Sequence, residues 1–453
     1  MCRLPLSIFL SVVCFVACIC VSRVCIARAE ESLEELTDYI DELEGRVDGV
    51  ERRVLMDKVS FRVDYRTRID YYSRRNSTEA DGANTHTEDV WSNRFRLNMR
   101  AELGRNAVFQ GRLSLFHLFN EFGGDAFYQF IDEIRRKPDK EGKVKVERAY
   151  IDYFVPDTDL SISIGRLPMS DGPPLGFKDD VSRRGTYPIV LNDGVTDGIV
   201  LSYKTDALGL GEKSVLRAGY AKLENYLSSL EGFEWDSARL NALAWETQIG
   251  SIDKSLFWVC YFYLSDFAIP AFIPGVEPVG SIADVSELMT HVQVEDIADS
   301  GLDYFFSLAW IQNHNRESGV LFPAGTLAPV ELEFTLTGSR HRGNLGDTTS
   351  DFMYFTGLRY TLPVDFLNES KLGFEFHHST RNYNIINGGD FINKLSTRGE
   401  SYELYYVQPV NRYLKLRVGY ILMDERYTSP GFGYADRSDE MTHNAYLLAD
   451  VSS

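Results

Sequence analysis

The chain is poor in three things that usually define a secreted protein of its length. Of its six cysteines, Cys2, Cys14, Cys18, Cys20 and Cys25 all lie near the start, and only Cys260 remains for the body of the protein. That leaves no intramolecular disulfide framework and no cysteine-based metal site. After residue 29 there is no apolar run of 18 residues or more, so no transmembrane helix is available. Basic residues are also scarce, with 47 Lys and Arg against 66 Asp and Glu, for a net charge of −19. So acidic a chain lacks the basic footprint that nucleic acid requires as a partner.

Residues 1–29 read as a secretory signal: Arg3, a largely apolar stretch from Leu4 to Val21, then Ala27-Arg28-Ala29, which places cleavage before Glu30. The alternative is an uncleaved anchor. Cleavage removes Arg3, Arg23 and Arg28 and no acids, taking the net charge from −19 to −22. A secreted chain without a membrane helix can still cross a membrane if its strands do so.

Residues 30–56 carry a heptad seam, with Leu33, Leu36, Ile40, Leu43, Val47, Val50 and Val54 spaced alternately by three and four. Arg46 and Glu51 fall at flanking positions, and Gly45 and Gly49 lie on the outer side. Three heptads are marginal as a free coil. The expectation is a periplasmic oligomerisation helix; the alternative is an amphipathic helix folded onto its own domain.

From residue 57 to 453 the pattern changes to strands. In Val59–Tyr72, Val59, Phe61, Val63, Tyr65, Ile69 and Tyr71 alternate with Ser60, Arg62, Asp64, Arg66, Arg68 and Asp70. Successive strand residues face opposite sides, so one side is apolar and the other charged. A membrane-crossing strand needs about 9–11 residues, whereas soluble strands average about 5–6. Asn93–Leu103 and Val108–Leu118 repeat the pattern across a short break at Gly104-Arg105-Asn106. Long polar connections follow at Asn120–Gly142, Leu167–Asp193, Leu223–Arg239, Gln312–Val330, Arg381–Gly399 and Asp424–Met441. Long loops alternating with short turns give the rhythm of a transmembrane antiparallel up-and-down β-barrel. The strand count comes to about 16, within a range of about 14–18, counting ill-defined runs near Asn241–Gln248, Leu288–Glu295 and Glu331–Leu336. Ser255–Leu264 is apolar on both faces, which suits contact with a neighbouring protomer or an inward-folded loop.

The polar faces of the first three strands are rich in arginine: Arg62, Arg66, Arg68, Arg94, Arg96, Arg100 and Arg112, interleaved with Asp64, Asp70 and Glu102. One reading makes these a pore-lining basic stripe that draws small anions through a water-filled channel. The other makes them a cross-strand charge ladder on a wet wall. The proline-rich connection Leu167–Pro188, with Asp179 and Asp180 opposing Arg183 and Arg184, is the candidate for a constriction loop; an external loop is the alternative.

No phosphate loop, nucleophile elbow, calcium loop or metal-binding histidine pair occurs, so neither a cofactor nor a metal is expected. His377-His378-Ser379 is the one hint of a hydrolase, but adjacent strand residues point apart. The expected role is therefore non-enzymatic, a passive channel for small hydrophilic solutes with weak anion selectivity. The alternatives are a lipid or ester hydrolase built on a barrel, and a non-conducting surface or adhesive barrel.

Three stretches also carry a resemblance. They are the heptad segment leading into Asp57-Lys58-Val59-Ser60-Phe61-Arg62-Val63-Asp64-Tyr65-Arg66, then Arg148-Ala149-Tyr150-Ile151-Asp152-Tyr153 with Ile164 to Pro174, and Asn393 to Gly399 running through Tyr405–Pro409 to Leu416-Arg417-Val418-Gly419-Tyr420. In these the chain resembles a little-characterised group of Gram-negative outer-membrane porins with a short N-terminal coiled coil. The resemblance implies one barrel in the outer membrane, in contact with its lipid and its assembly machinery. Porin bodies usually trimerise, so a homo-oligomer, a trimer in particular, is expected. The resemblance brings no substrate and no catalytic residue. Such barrels commonly finish on an aromatic residue read during assembly; here the last residues are Asp450-Val451-Ser452-Ser453, so Tyr446 and Leu448 are expected to carry the signal or the route differs.

Overall fold

The structure, a computed structural model, describes residues 58–76, 84–119, 144–169, 171–181, 183, 185–190, 196–223, 239–267, 283–315, 348–364, 369–381, 383, 394–427 and 437–452. The expected signal segment, the expected heptad helix with its seam residues and the run Glu331–Leu336 lie outside these residues. The barrel is carried by the compact unit Phe61–Ser453.

Sixteen antiparallel strands form one closed barrel in which sequence neighbours are also hydrogen-bonded neighbours. They are β1 (Val59–Asn76), β2 (Asn84–Glu102), β3 (Ala107–Leu118), β4 (Lys145–Phe154), β5 (Leu160–Leu167), β6 (Thr196–Lys204), β7 (Val215–Leu223) and β8 (Arg239–Thr247). The second half consists of β9 (Ser255–Phe267), β10 (Ala283–Val294), β11 (Leu302–Asn315), β12 (Thr348–Thr361), β13 (Lys371–Ser379), β14 (Gly399–Pro409), β15 (Leu414–Tyr427) and β16 (Arg437–Ser452). The ring is closed by β1 against β16, with Asp64 opposite Ser452 and Asn76 opposite Glu440. β1 and β2 reach to Asn76 and from Asn84, well into Ser73–Asp89, a stretch with no apolar residue longer than alanine that reads from composition as a polar loop. Cross-strand pairing continues there without any apolar side chain to signal it.

Alternation sorts the side chains as expected. On β1 Phe61, Val63, Tyr65, Ile69 and Tyr71 are exposed outside, while Asp64, Arg66, Arg68, Asp70 and Tyr72 are buried inside. The outer band continues through Ile151, Ile164, Leu243, Leu358, Leu404 and Leu447. Exposed aromatics flank it, with Tyr153, Tyr203, Tyr360 and Tyr413 towards the short turns and Trp91, Trp310 and Phe352 towards the long connections. An apolar belt between aromatic girdles is the surface of a barrel that spans a bilayer.

The inner wall has two unlike sectors. From β15 through β16 to β4 it is mostly charged; from β8 to β12 it is mostly apolar, with Leu240, Ala244, Trp258, Phe262, Met289, Phe305, Ile311 and Phe355 buried. Leu447 is 51% exposed on the lipid face of β16. Leu447→Arg is expected to destabilise the folded barrel by about 2–4 kcal/mol, read by denaturant unfolding in lipid vesicles.

Candidate functional site

The lumen is occupied by the connection between β5 and β6. This segment carries a short helix, α1 (Leu175–Asp179), and touches the wall on nearly every side. Its apolar residues Leu167, Met169, Phe177, Tyr187, Ile189 and Val190 pack with the β8–β12 sector in one buried cluster. Tyr187 meets Trp258 edge-on at 5.6 Å between ring centroids, and Phe177 lies 5.9 Å from Phe305. This explains why β9 is apolar on both faces: its outer side meets lipid and its inner side meets the infolded loop.

The acidic residues of the segment face the charged sector. Asp171 Oδ2 accepts from Arg112 Nη1 at 2.5 Å and lies 3.1 Å from Arg96 Nη1 and 3.3 Å from Arg148 Nη2. Glu147 shares Arg96 and Arg112, each at 3.1 Å. Asp179 Oδ1 accepts from Arg66 Nη2 at 2.8 Å and Arg417 Nη1 at 2.9 Å. Asp180 pairs with Lys371, with Arg359 at 3.2 Å and with Lys415 at 3.3 Å. Removing arginines from water is costly unless they are paired, and the loop supplies the pairing.

A second infolded segment follows β13. Tyr383, Lys394, Leu395, Thr397 and Arg398 are buried inside the barrel. Lys394 reaches Glu375 and Glu403 on the wall, and Lys178 of the first segment reaches the same Glu403 Oε2, both Glu403 contacts being 2.5 Å. Tyr446 donates to the other oxygen of Glu403 at 2.5 Å. Lys178 sits between the rings of Tyr405 and Tyr446, 6.0 Å from each centroid. Those rings can lie along the wall because Gly373 and Gly419 stand opposite them, where any Cβ would collide with the ring.

The residues singled out from sequence therefore divide. Asp64, Arg66, Arg68, Arg94, Arg96 and Arg112 are inward and buried, and each arginine is bound to an acid: Arg68 and Asp70 exchange three short contacts, and Arg94 lies 3.5 Å from Asp64. Arg62, Arg100 and Glu102 are exposed at the short-turn end of the barrel. In the loop, Asp179 and Asp180 do not oppose Arg183: they bind wall cations, and Arg183 binds Glu246 of β8 at 3.0 Å. Arg184 lies outside the described residues. Sequence reading missed Asp171, Lys178 and Lys394 and their wall partners Glu147 and Glu403. Nothing local marks a loop charge that is destined for burial, because its partner lies on a distant strand.

His377 and Ser379 share the inner face, but Ser379 Oγ donates to the carbonyl of Thr397 at 2.6 Å, and His378 points outside, 3.9 Å from Glu400. Among the described residues no group of three or more His, Cys, Asp or Glu is placed to hold a metal ion.

A closed sixteen-stranded ring, an inner wall part charged and part apolar, and a connection between β5 and β6 folded into the lumen define a porin-type barrel. A family model described as a protein of unknown function (DUF3373) matches residues 84–242 and 249–447, and the chain belongs to that family. The high-pH structure of OprB from Pseudomonas putida is similar in fold, with a TM-score of 0.51 and 14% identity over 89% of this chain and 96% of that one. A loop-deletion mutant of OmpT, an outer membrane protein of Vibrio cholerae, matches with a TM-score of 0.44 and 10% identity over 88% of this chain and 100% of that one. No curated protein matched.

Two outcomes are expected from this geometry. Asp171→Asn leaves three buried arginines short of a carboxylate and should cost about 3–5 kcal/mol, measured as a lowered midpoint in denaturant. The second concerns acid. Burial raises the carboxyl of Asp180, but the hydrogen bond from Lys371 and the charges of Lys371, Lys415 and Arg359 outweigh it and hold the group below the usual carboxylate range. A lowered native value means that this stabilisation is complete above the unfolded value of about 3.9 and is lost as pH falls through the native one. Acid titration of the Trp258 fluorescence should show the loop loosening in that window, and Asp180→Asn should remove the transition.

Proposed function

We propose that the protein is an outer-membrane channel for passive diffusion of small hydrophilic solutes, narrowed by the infolded β5–β6 segment and weakly selective for anions. The observation that carries this reading is the short-turn mouth of the barrel. There the inward Arg62, Arg100 and Lys204 are exposed against the exposed Glu102, while the half-buried Lys371 and Lys415 share Asp180. An excess of cations at the mouth of a low-dielectric conduit raises the local concentration of anions. Barrels of this class place short turns in the periplasm and long loops outside, which would put this mouth on the periplasmic side. Assembly as a homo-oligomer, a trimer, and a periplasmic helix over residues 30–56 belong to the same proposal, as does the absence of catalysis.

A second reading is favoured by the apolar packing of Tyr187 and Phe177 against Trp258 and Phe305: a barrel closed at rest, whose external loops do the work. Planar-bilayer recording separates the two. The channel reading expects small conductance steps from the native protein and larger ones from the Asp179→Asn, Asp180→Asn double variant, in which the clamp on the loop is cut. In a salt gradient, Arg62→Glu with Arg100→Glu should move the reversal potential towards cations. Silence from both native protein and double variant would leave the closed barrel as the better account.

A further inference from the structure

The outer surface of the barrel carries a row of charges that the channel reading does not use. Leu167, Thr196, Ala221 and Leu240 are buried inside, so their strand neighbours Arg166, Asp197, Lys222 and Arg239 face outward. The pairing register sets these four side by side: Arg166 opposite Asp197, Asp197 opposite Lys222, and Lys222 opposite Arg239. The row runs across β5, β6, β7 and β8 at the end bearing the long connections, and three inter-strand gaps make it about 14 Å wide. One step lower on the same face stand Ile164, Ile199 and Tyr220, all exposed and belonging to the lipid-facing band.

Arg166 holds Asp197 through Nε and Nη2 at 3.1 and 3.0 Å, and its Nη1 donates to the carbonyl of Val146 at 3.1 Å. The Asp197 side chain is nevertheless 49% exposed, and Lys222 and Arg239 are exposed too. Three cations against one carboxylate leave the row with an excess of two positive charges. The same level across β13–β15 shows no such excess: there Arg426 is paired with both Glu400 and Asp424. A local surplus of cations is unexpected on a chain with 66 acids and 47 bases.

Charges set immediately beyond an apolar belt lie in the headgroup layer, where a phosphate is the available anion. Guanidinium groups match phosphate geometry in a way a lone ammonium does not. We propose that the row Arg166–Asp197–Lys222–Arg239 is a binding site for the phosphorylated headgroup of a lipid in the leaflet on the long-connection side. Arg239 and Lys222 would take the phosphate oxygens, while Asp197 holds the Arg166 fork in the plane of the row.

Native mass spectrometry of the full barrel in detergent tests this, with bisphosphorylated lipid A and its dephosphorylated form as probes. The native protein should retain the phosphorylated lipid more than tenfold better than the dephosphorylated one. Lys222→Gln or Arg239→Gln alone should weaken retention by about fivefold, since a cation near an anionic surface contributes about 1 kcal/mol. Arg166→Gln, Lys222→Gln and Arg239→Gln combined should abolish the preference, whereas Arg426→Gln should leave it intact. Equal retention by the native and triple-variant barrels would overturn the proposal. So would equal binding of the two lipid forms, or a triple variant altered only in subunit number. If the triple variant fails to give a folded, heat-modifiable band, the two single variants decide the matter.

Discussion

Closure of β1 onto β16 is the constraint from which the rest of the structure follows. Inside hydrocarbon an unpaired backbone group has no water to turn to, so a sheet must end on itself. Once the ring is closed, strand parity decides everything about its two surfaces. Odd residues of β1 meet lipid and even residues meet the lumen, and the same division runs around all sixteen strands. The lumen then inherits a dense set of charges, and these need either water or counter-charges.

The infolded segments supply counter-charges and apolar surface together. Asp171, Asp179 and Asp180 stand against arginines and lysines from β1, β2, β3, β4, β12, β13 and β15, while Phe177 and Tyr187 cover the apolar sector. Because the wall is amphipathic across its diameter, the loop can sit in one orientation only: turning it over would set Asp171 against Trp258 and Phe177 against Arg112. Buried ion pairs are weak evidence of net stability, since desolvation offsets much of their attraction, but they are strict about position.

Much of the architecture was legible in the chain because it is written in local alternation. The strands, the short turn at Gly104, the inward parity of Arg94 and Arg96 and the candidacy of Leu167–Pro188 all come from patterns a few residues long. The partners do not. Whether Asp179 faces Arg183 or Arg66 depends on which strands close the ring around it, 113 positions away in the second case. Lys178 and Lys394 were illegible for the same reason: a lone lysine in a polar loop reads as solvated until a wall carboxylate is brought to it. The polar ends of β1 and β2 were missed because backbone pairing, not side-chain pattern, carries those strands outward.

Glu403 joins the two infolded segments through one oxygen, although Lys178 lies 225 positions away from it and Lys394 only nine. That oxygen ties the histories of two loops together. A change of charge or length in one loop alters the share of Glu403 left to the other, so variation at positions 178 and 394 should be inherited in pairs across the family. The tie also bears on assembly: the first segment can be docked fully only after β14, among the last strands of the chain, has joined the ring.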